Sequence, residues 1–290
     1  SVCGTADDPA AFAVTTAATG NGTLSYQWQS NTTGCGGSWT NILGATSATY
    51  DAPNVLSTTY YRAVITSTLN SVQCTATSNC LTITSYSKTW NGVVSTDWNN
   101  GLNWSPVGVP TIADCVVIPN VANDPEIQGS NYSAYAKSLA ILAGGELELS
   151  SNNSITVSDA INVNATGSFE IRDNASLVQI NNVANIGRVD IERITQPMYR
   201  YDYTYWGTPV TAASNFTLGM LSPLTLSDKY FSWIPTVANS FGNWFFESAA
   251  TVMDPIKGYI VRAPQTFSTD VGTKVPYTAN FIGTPNNGED

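Results

Sequence analysis

A repeat of about 20–22 residues constrains this chain more than any other feature. Ile141-x3-Gly145-x-Leu147-x-Leu149 is followed by Val163-x3-Gly167-x-Phe169-x-Ile171, and then by Val183-x3-Gly187-x-Val189-x-Ile191. Offsets of that size suit one coil of a parallel β-solenoid with three short strands per coil. Alternate side chains of a strand point to opposite faces. The Leu, Phe, Ile and Val of the repeat should therefore stack inward, coil on coil, with their Glu, Arg and Asp neighbours outside. The glycine is expected to turn a corner, because a positive φ costs it little. Ile155-Thr156-Val157 and Leu177-Val178-Gln179-Ile180 would supply the third face. The plain alternative is chance similarity among glycine-punctuated strands.

The rest of the chain also reads as β. Helical spacing is nearly absent, and β-branched residues punctuated by Gly, Asn, Pro and Ser dominate. Residues 1–84 carry about seven short strand candidates at the spacing of a sandwich, with Trp28 where such a fold places its central tryptophan. After a linker at 85–88 come Trp90, Trp98 and Trp104, close enough in sequence to form one capping layer. Residues 194–290 leave the period and carry Tyr199-Arg200-Tyr201-Asp202-Tyr203-Thr204-Tyr205-Trp206, a tyrosine-alternating strand. Antiparallel strands are expected there, because the end of a solenoid exposes backbone edges and an apolar stack that must be covered. The expected architecture is all-β. It has an N-terminal Ig-like β-sandwich (1–84), a short parallel β-solenoid with a Trp-rich cap (88–193), and an antiparallel β region packed on or closing it (194–290).

The five cysteines, Cys3, Cys35, Cys74, Cys80 and Cys115, form no CxxC pair. Metal-ligand spacing is therefore missing. Four of them in the first 80 residues suit two disulfides and an oxidising, extracytoplasmic setting. Four cysteines allow three connectivities. A first strand beginning at Cys3 beside the last hairpin favours Cys3–Cys74 with Cys35–Cys80, leaving Cys115 buried and unpaired. Five buried thiols are the alternative. The chain has no histidine, which removes Ser-His-Asp and Cys-His nucleophiles, His-ligated zinc and the usual neutral-pH base. A net charge of −10 and the lack of any Lys/Arg run argue against nucleic acid and anionic membrane surfaces. No apolar stretch reaches the length of a membrane-spanning helix, and no membrane insertion is expected. The start at Ser1 and the end at Asp290 read as those of a fragment of a longer exported protein.

Tyr26-Gln27-Trp28-Gln29-Ser30, then Trp39 to Tyr50, then Thr58-Thr59-Tyr60-Tyr61-Arg62, resembles the Ig-like repeats of bacterial surface adhesins. It departs from the antibody-type linkage, since no Cys precedes Trp28 at the usual interval. Several later strings are similar to a module in large surface proteins of Bacteroidota. They are Asn103-Trp104-Ser105-Pro106, Asp202-Tyr203-Thr204-Tyr205-Trp206-Gly207-Thr208-Pro209, and Lys257-Gly258-Tyr259-Ile260-Val261-Arg262-Ala263-Pro264. Such proteins resemble substrates of the type IX secretion system, linked to gliding motility and adhesion. The resemblance implies a non-enzymatic segment of a secreted adhesin or stalk at the outer cell surface. Its partners would be extracellular polysaccharide or another surface protein, and the type IX machinery through a C-terminal sorting domain that this sequence lacks. The resemblance transfers no catalytic residue. A carbohydrate-binding module of a secreted polysaccharide-active enzyme is the alternative.

Three groups of residues are candidate sites. Glu148, Glu170 and Asp190 should share one outward column, with coils ~4.8 Å apart. Stacked carboxylates repel, raise a pKa or take a hard cation; in a cleft with a nearby Arg or Lys they could cleave polysaccharide. A solvated face balanced by Arg172, Arg188 and Arg193 is the plain reading. Asp97, Asn99, Gly101 and Asn103 resemble part of a calcium loop by their alternate spacing, although Gly108 stands where a closing carboxylate belongs. An Asx-turn explains them as well. No cofactor is required, and calcium is the one this pattern suggests. Trp98, Trp104, Tyr201 and Trp244 lie near Asn and Asp and could stack on sugar rings; core or capping aromatics are the other reading.

Overall fold

The computed structural model describes residues 10–15, 21–52, 58–84, 87–236 and 242–287. The chain is nearly all β and divides into two compact units, 1–87 and 88–290. The solenoid and the antiparallel region thus belong to one unit.

In the first unit the long strands Thr23–Asn31 and Thr59–Leu69 pair antiparallel. Thr40–Asn41 extends one edge; Val72–Thr77 and Leu81–Ile83 both pair with Thr59–Leu69 on its other side. Asn70 and Ser71 both have positive φ, the geometry of a tight two-residue hairpin loop. A second ladder, Phe12–Ala13 with Thr49–Tyr50, packs over the sheet. Phe12 and Tyr50 stack on buried Trp28, at 6.0 and 5.7 Å between centroids. The Trp28 indole donates to Ser47 O at 3.0 Å, so its polar edge is satisfied within the core.

Cys35 and Cys80 are bonded. The expected Cys3–Cys74 bond is not formed: Cys74 is an exposed free thiol on Val72–Thr77, a strand exposed along its whole length. Cys3 lies outside the described residues. Cys115 is buried as expected but disulfide-bonded, and so is not the leftover thiol.

The second unit is built on three parallel sheets with about 4 turns. Cys115–Ile118, Ser138–Ile141 and Ile161–Val163 stack on one face. Glu126–Ile127, Glu146–Leu149, Ser168–Ile171 and Val189–Ile194 stack on the second. Ser133–Ala136, Ser154–Val157 and Ser176–Gln179 form the third. The register aligns Ile118, Ile141 and Val163 in one inward row, and Ile127, Leu149, Ile171 and Ile191 in another. All are buried.

Two of the three repeat glycines serve a different purpose from the one expected. Gly187 has positive φ, but Gly145 and Gly167 do not. A Cβ at Gly145 would lie 2.5 Å from Ile118 O, and one at Gly167 2.8 Å from Leu142 O. The backbone of the preceding coil passes too close for any side chain. Thr278–Gly283 closes the second face, pairing antiparallel with Val189–Ile194.

Candidate functional site: an exposed aromatic sheet face

Four antiparallel strands lie in the order Tyr203–Trp206, Tyr259–Arg262, Tyr230–Ile234, Asn243–Phe246. Directly opposed residues share a face of a sheet. The register opposes Tyr203 to Arg262, Tyr205 to Ile260, Ile260 to Phe231, Phe231 to Phe246 and Trp233 to Trp244. One face therefore carries six aromatic rings around Ile260. The other carries Trp206, Tyr230, Tyr259 and Val261, which pack into the core of the unit. Period-2 alternation of aromatic with small or aliphatic residues produces both faces at once.

Below the sheet, the polar ends of the aromatics are tied down. The Tyr230 hydroxyl donates to Ser222 O at 2.7 Å, and the Tyr259 hydroxyl accepts from Asp254 N at 2.9 Å. Burial pushes both phenols up from their ordinary pKa. Buried Glu247 accepts from Ser232 Oγ and Lys257 Nζ, both at 2.7 Å, and from Thr251 Oγ1. Burial alone would raise its pKa; the bonds to Lys257 and Ser232 outweigh that and hold it below the ordinary carboxylate value.

Above the sheet, the rings stay open. Tyr205 is 73% exposed, Phe246 52%, and Tyr203, Trp233 and Trp244 about 40% each. The rings meet across strands: Trp233 with Trp244 at 5.1 Å, Tyr205 with Trp244 at 6.1 Å, Tyr203 with Phe231 at 6.4 Å. Tyr201, also exposed, continues the patch, with the Arg262 guanidinium 5.9 Å from its ring. A shallow groove of about 510 Å³ runs beside the edge strand, lined by Arg193, Tyr205, Trp206 and Pro209. A contiguous exposed patch of this kind is the candidate contact surface of the unit.

Two of the four candidate sugar platforms are thus on or beside this face, Trp244 and Tyr201. The other two are not. Trp98 and Trp104 are fully buried, packed edge to face at 4.7 Å, with Trp90 against Trp104 at 5.0 Å. They form the cap over the solenoid's first coil. Tyr205, Trp233 and Phe246 had the same alternation in sequence; what was missing was which side the core covers.

The loop that carries Asp97, Asn99, Gly101 and Asn103 is built as a hydrogen-bonded turn. Asn103 is buried, with Oδ1 accepting from Val94 N and Ser95 N and Nδ2 donating to Ser95 Oγ and Asp97 O. Asp97 Oδ1 accepts from Asn99 N in an Asx-turn. Gly101 opens the short 3-10 turn Gly101–Asn103, capped by Asn100. Both polar atoms of the Asn103 side chain are engaged in bonds within the loop.

The acidic column is present and longer than expected. Glu148, Glu170 and Asp190 are in register, Glu126 precedes them, and Asp97 bridges Glu126. Arg172 pairs with Glu148 at 2.7 Å and Glu170 at 2.6 Å. Its hydrogen bond holds Glu148 below the ordinary value, whereas burial, then Glu170, raises Asp190. Glu126, Glu148 and Glu170 line an open groove of about 400 Å³, which Asp190 does not reach. Among the described residues no group of three or more Cys, Asp or Glu is arranged to hold a metal ion.

Residues 89–290 match the family described as a domain of unknown function, DUF8693, and residues 1–87 match another, DUF8696. No curated protein matches this chain, and no solved structure does.

Proposed function

From a chain that belongs to the DUF8693 family, we propose a non-enzymatic recognition segment of a secreted cell-surface adhesin, one that attaches to polysaccharide through its exposed aromatic sheet face. The observation carrying this reading is the row of Tyr203, Tyr205, Trp233, Trp244 and Phe246, open on one face of a sheet anchored from below. Flat apolar rings suit the C–H faces of pyranoses, and Tyr and Trp add a polar edge. Rigid strands hold the rings in place before binding, which lowers the entropic cost of association. Repeated weak contacts then act through avidity, as attachment requires. The Cys35–Cys80 disulfide supports a place outside the cytoplasm. Export by type IX secretion rests on the resemblance to Bacteroidota surface proteins. The same face would serve a carbohydrate-binding module attached to an enzyme, and Trp244 and Tyr201 favour that reading equally.

A polysaccharide and glycan array tests the reading, run with the purified chain in calcium and in chelator. Saturable binding is expected in both buffers, because the Asp97 loop is already satisfied internally. Tyr205→Ala and Trp244→Ala are each expected to weaken it by roughly tenfold, the scale of one lost aromatic contact. A blank array, or binding indifferent to both variants, sinks the proposal.

A further inference from the structure

The aromatic patch has cations at its border that form no contact-distance ion pair among the described residues, in a chain whose net charge is −10. Arg262 lies opposite Tyr203 in register and 5.9 Å from the Tyr201 ring. It is 93% buried by its 7% relative exposure, yet forms no ion pair among the described residues. Its Nη2 donates to Gln265 Oε1 at 2.8 Å, and its Nε has no partner. A buried guanidinium normally meets a carboxylate, because desolvating the charge is costly. Arg193 lines the groove beside Tyr205 and bonds only to backbone carbonyls. Arg200, next to Tyr201 in sequence, likewise donates to a carbonyl, that of Phe267. Four other cations, Arg172, Lys229, Lys257 and Lys274, each have an acidic partner. Lys88 and Arg62, neither of them buried, bond to carbonyl and amide oxygens, so it is the burial of Arg262 that sets it apart.

We propose that the ligand of this face is an anionic polysaccharide, its sugar rings stacked on the aromatic row and its carboxylate or sulfate groups met by Arg262 and Arg193. This rests on the carbohydrate reading above. A guanidinium presents a planar fork of donors matched to both oxyanions. Charge complementarity selects the class, since a neutral glycan would leave these cations as they stand.

Two polymer pairs that differ in charge alone test it: alginate against carboxyl-reduced alginate, and dextran sulfate against dextran. At about 0.1 M salt, the acidic member of at least one pair is expected to bind at least tenfold tighter than its neutral partner. The pair that discriminates identifies carboxylate or sulfate as the group recognised. Arg262→Gln should erase most of that difference, and Arg262→Lys should keep part of it. The wild-type comparison stands even if a variant fails to fold. Equal binding within both pairs overturns the anionic class; if Trp244→Ala then abolishes that binding, the aromatic reading survives. No binding to any of the four polymers overturns the inference, and with a blank array the reading beneath it falls too. Single-stranded DNA bound as tightly as the acidic polymers also overturns it, in favour of a general polyanion site.

Discussion

Burying a carboxylate is costly unless its charge is balanced, and Glu247 is balanced by three donors beneath the aromatic sheet. Lys257 is the cationic one, about a third exposed, whereas the Glu247 side chain is 9% exposed. Lys257→Met would leave the carboxylate buried with two hydroxyl donors. A loss of about 2–3 kcal/mol at pH 7 is expected, below the full range for a buried pair because water reaches the lysine. The sign with pH follows from the lowered Glu247 pKa. Its contribution is present above the ordinary value of 4.5 and is lost as pH falls through the lowered one. Urea melts of wild type and variant should therefore converge toward pH 3; a gap that stays constant there would refute the charge account. This pair was not legible in the sequence. Glu247 and Lys257 are ten residues apart, and nothing in their spacing says that a sheet covers them. The same holds for Trp98, which has the residue type and polar neighbours of Trp244 but lies in the cap.

Elements were more legible than single contacts, because a repeat fixes register. A period of two within strands and about 22 between them places Glu148, Glu170 and Asp190 in one column. Glu126 escaped because its strand has two residues, with glycine after it rather than before. The role of the repeat glycine also escaped, since pattern alone cannot separate an unusual φ from a close neighbour. That distinction is testable. Gly167→Ala needs no unusual φ yet would push a Cβ against Leu142 O of the coil below. A loss of about 1–3 kcal/mol is expected from the forced backbone shift. Gly258→Ala, with open space around its position, should stay within about 0.5 kcal/mol of wild type. Chemical denaturation of both variants measures the contrast, and equal costs would mean that stacking does not restrict the corner.

At the scale of the molecule, the two units are stabilised by different means. The 88–290 unit has one large apolar core running from the tryptophan cap through the coils to Phe281. The 1–87 unit has two small clusters centred on Trp28 and Tyr61. A small core gains most from a crosslink, and Cys35–Cys80 closes a separation of 45 residues. Chain entropy sets the worth of such a loop at about 4 kcal/mol, and strain or residual structure commonly reduces it. The Cys35→Ala/Cys80→Ala variant removes a bond that lies wholly within residues 1–87, so the first unit should be the one weakened. Calorimetry should then show one transition moved down by roughly 10 °C or more, by the usual relation for a domain of this size, with the transition of the 88–290 unit in place. If both transitions moved together by the same amount, the chain would unfold as one cooperative body and the stability of the aromatic face would depend on the sandwich. If only the first moves, the aromatic face keeps its stability without the Cys35–Cys80 bond, and glycan binding by the variant should match that of wild type.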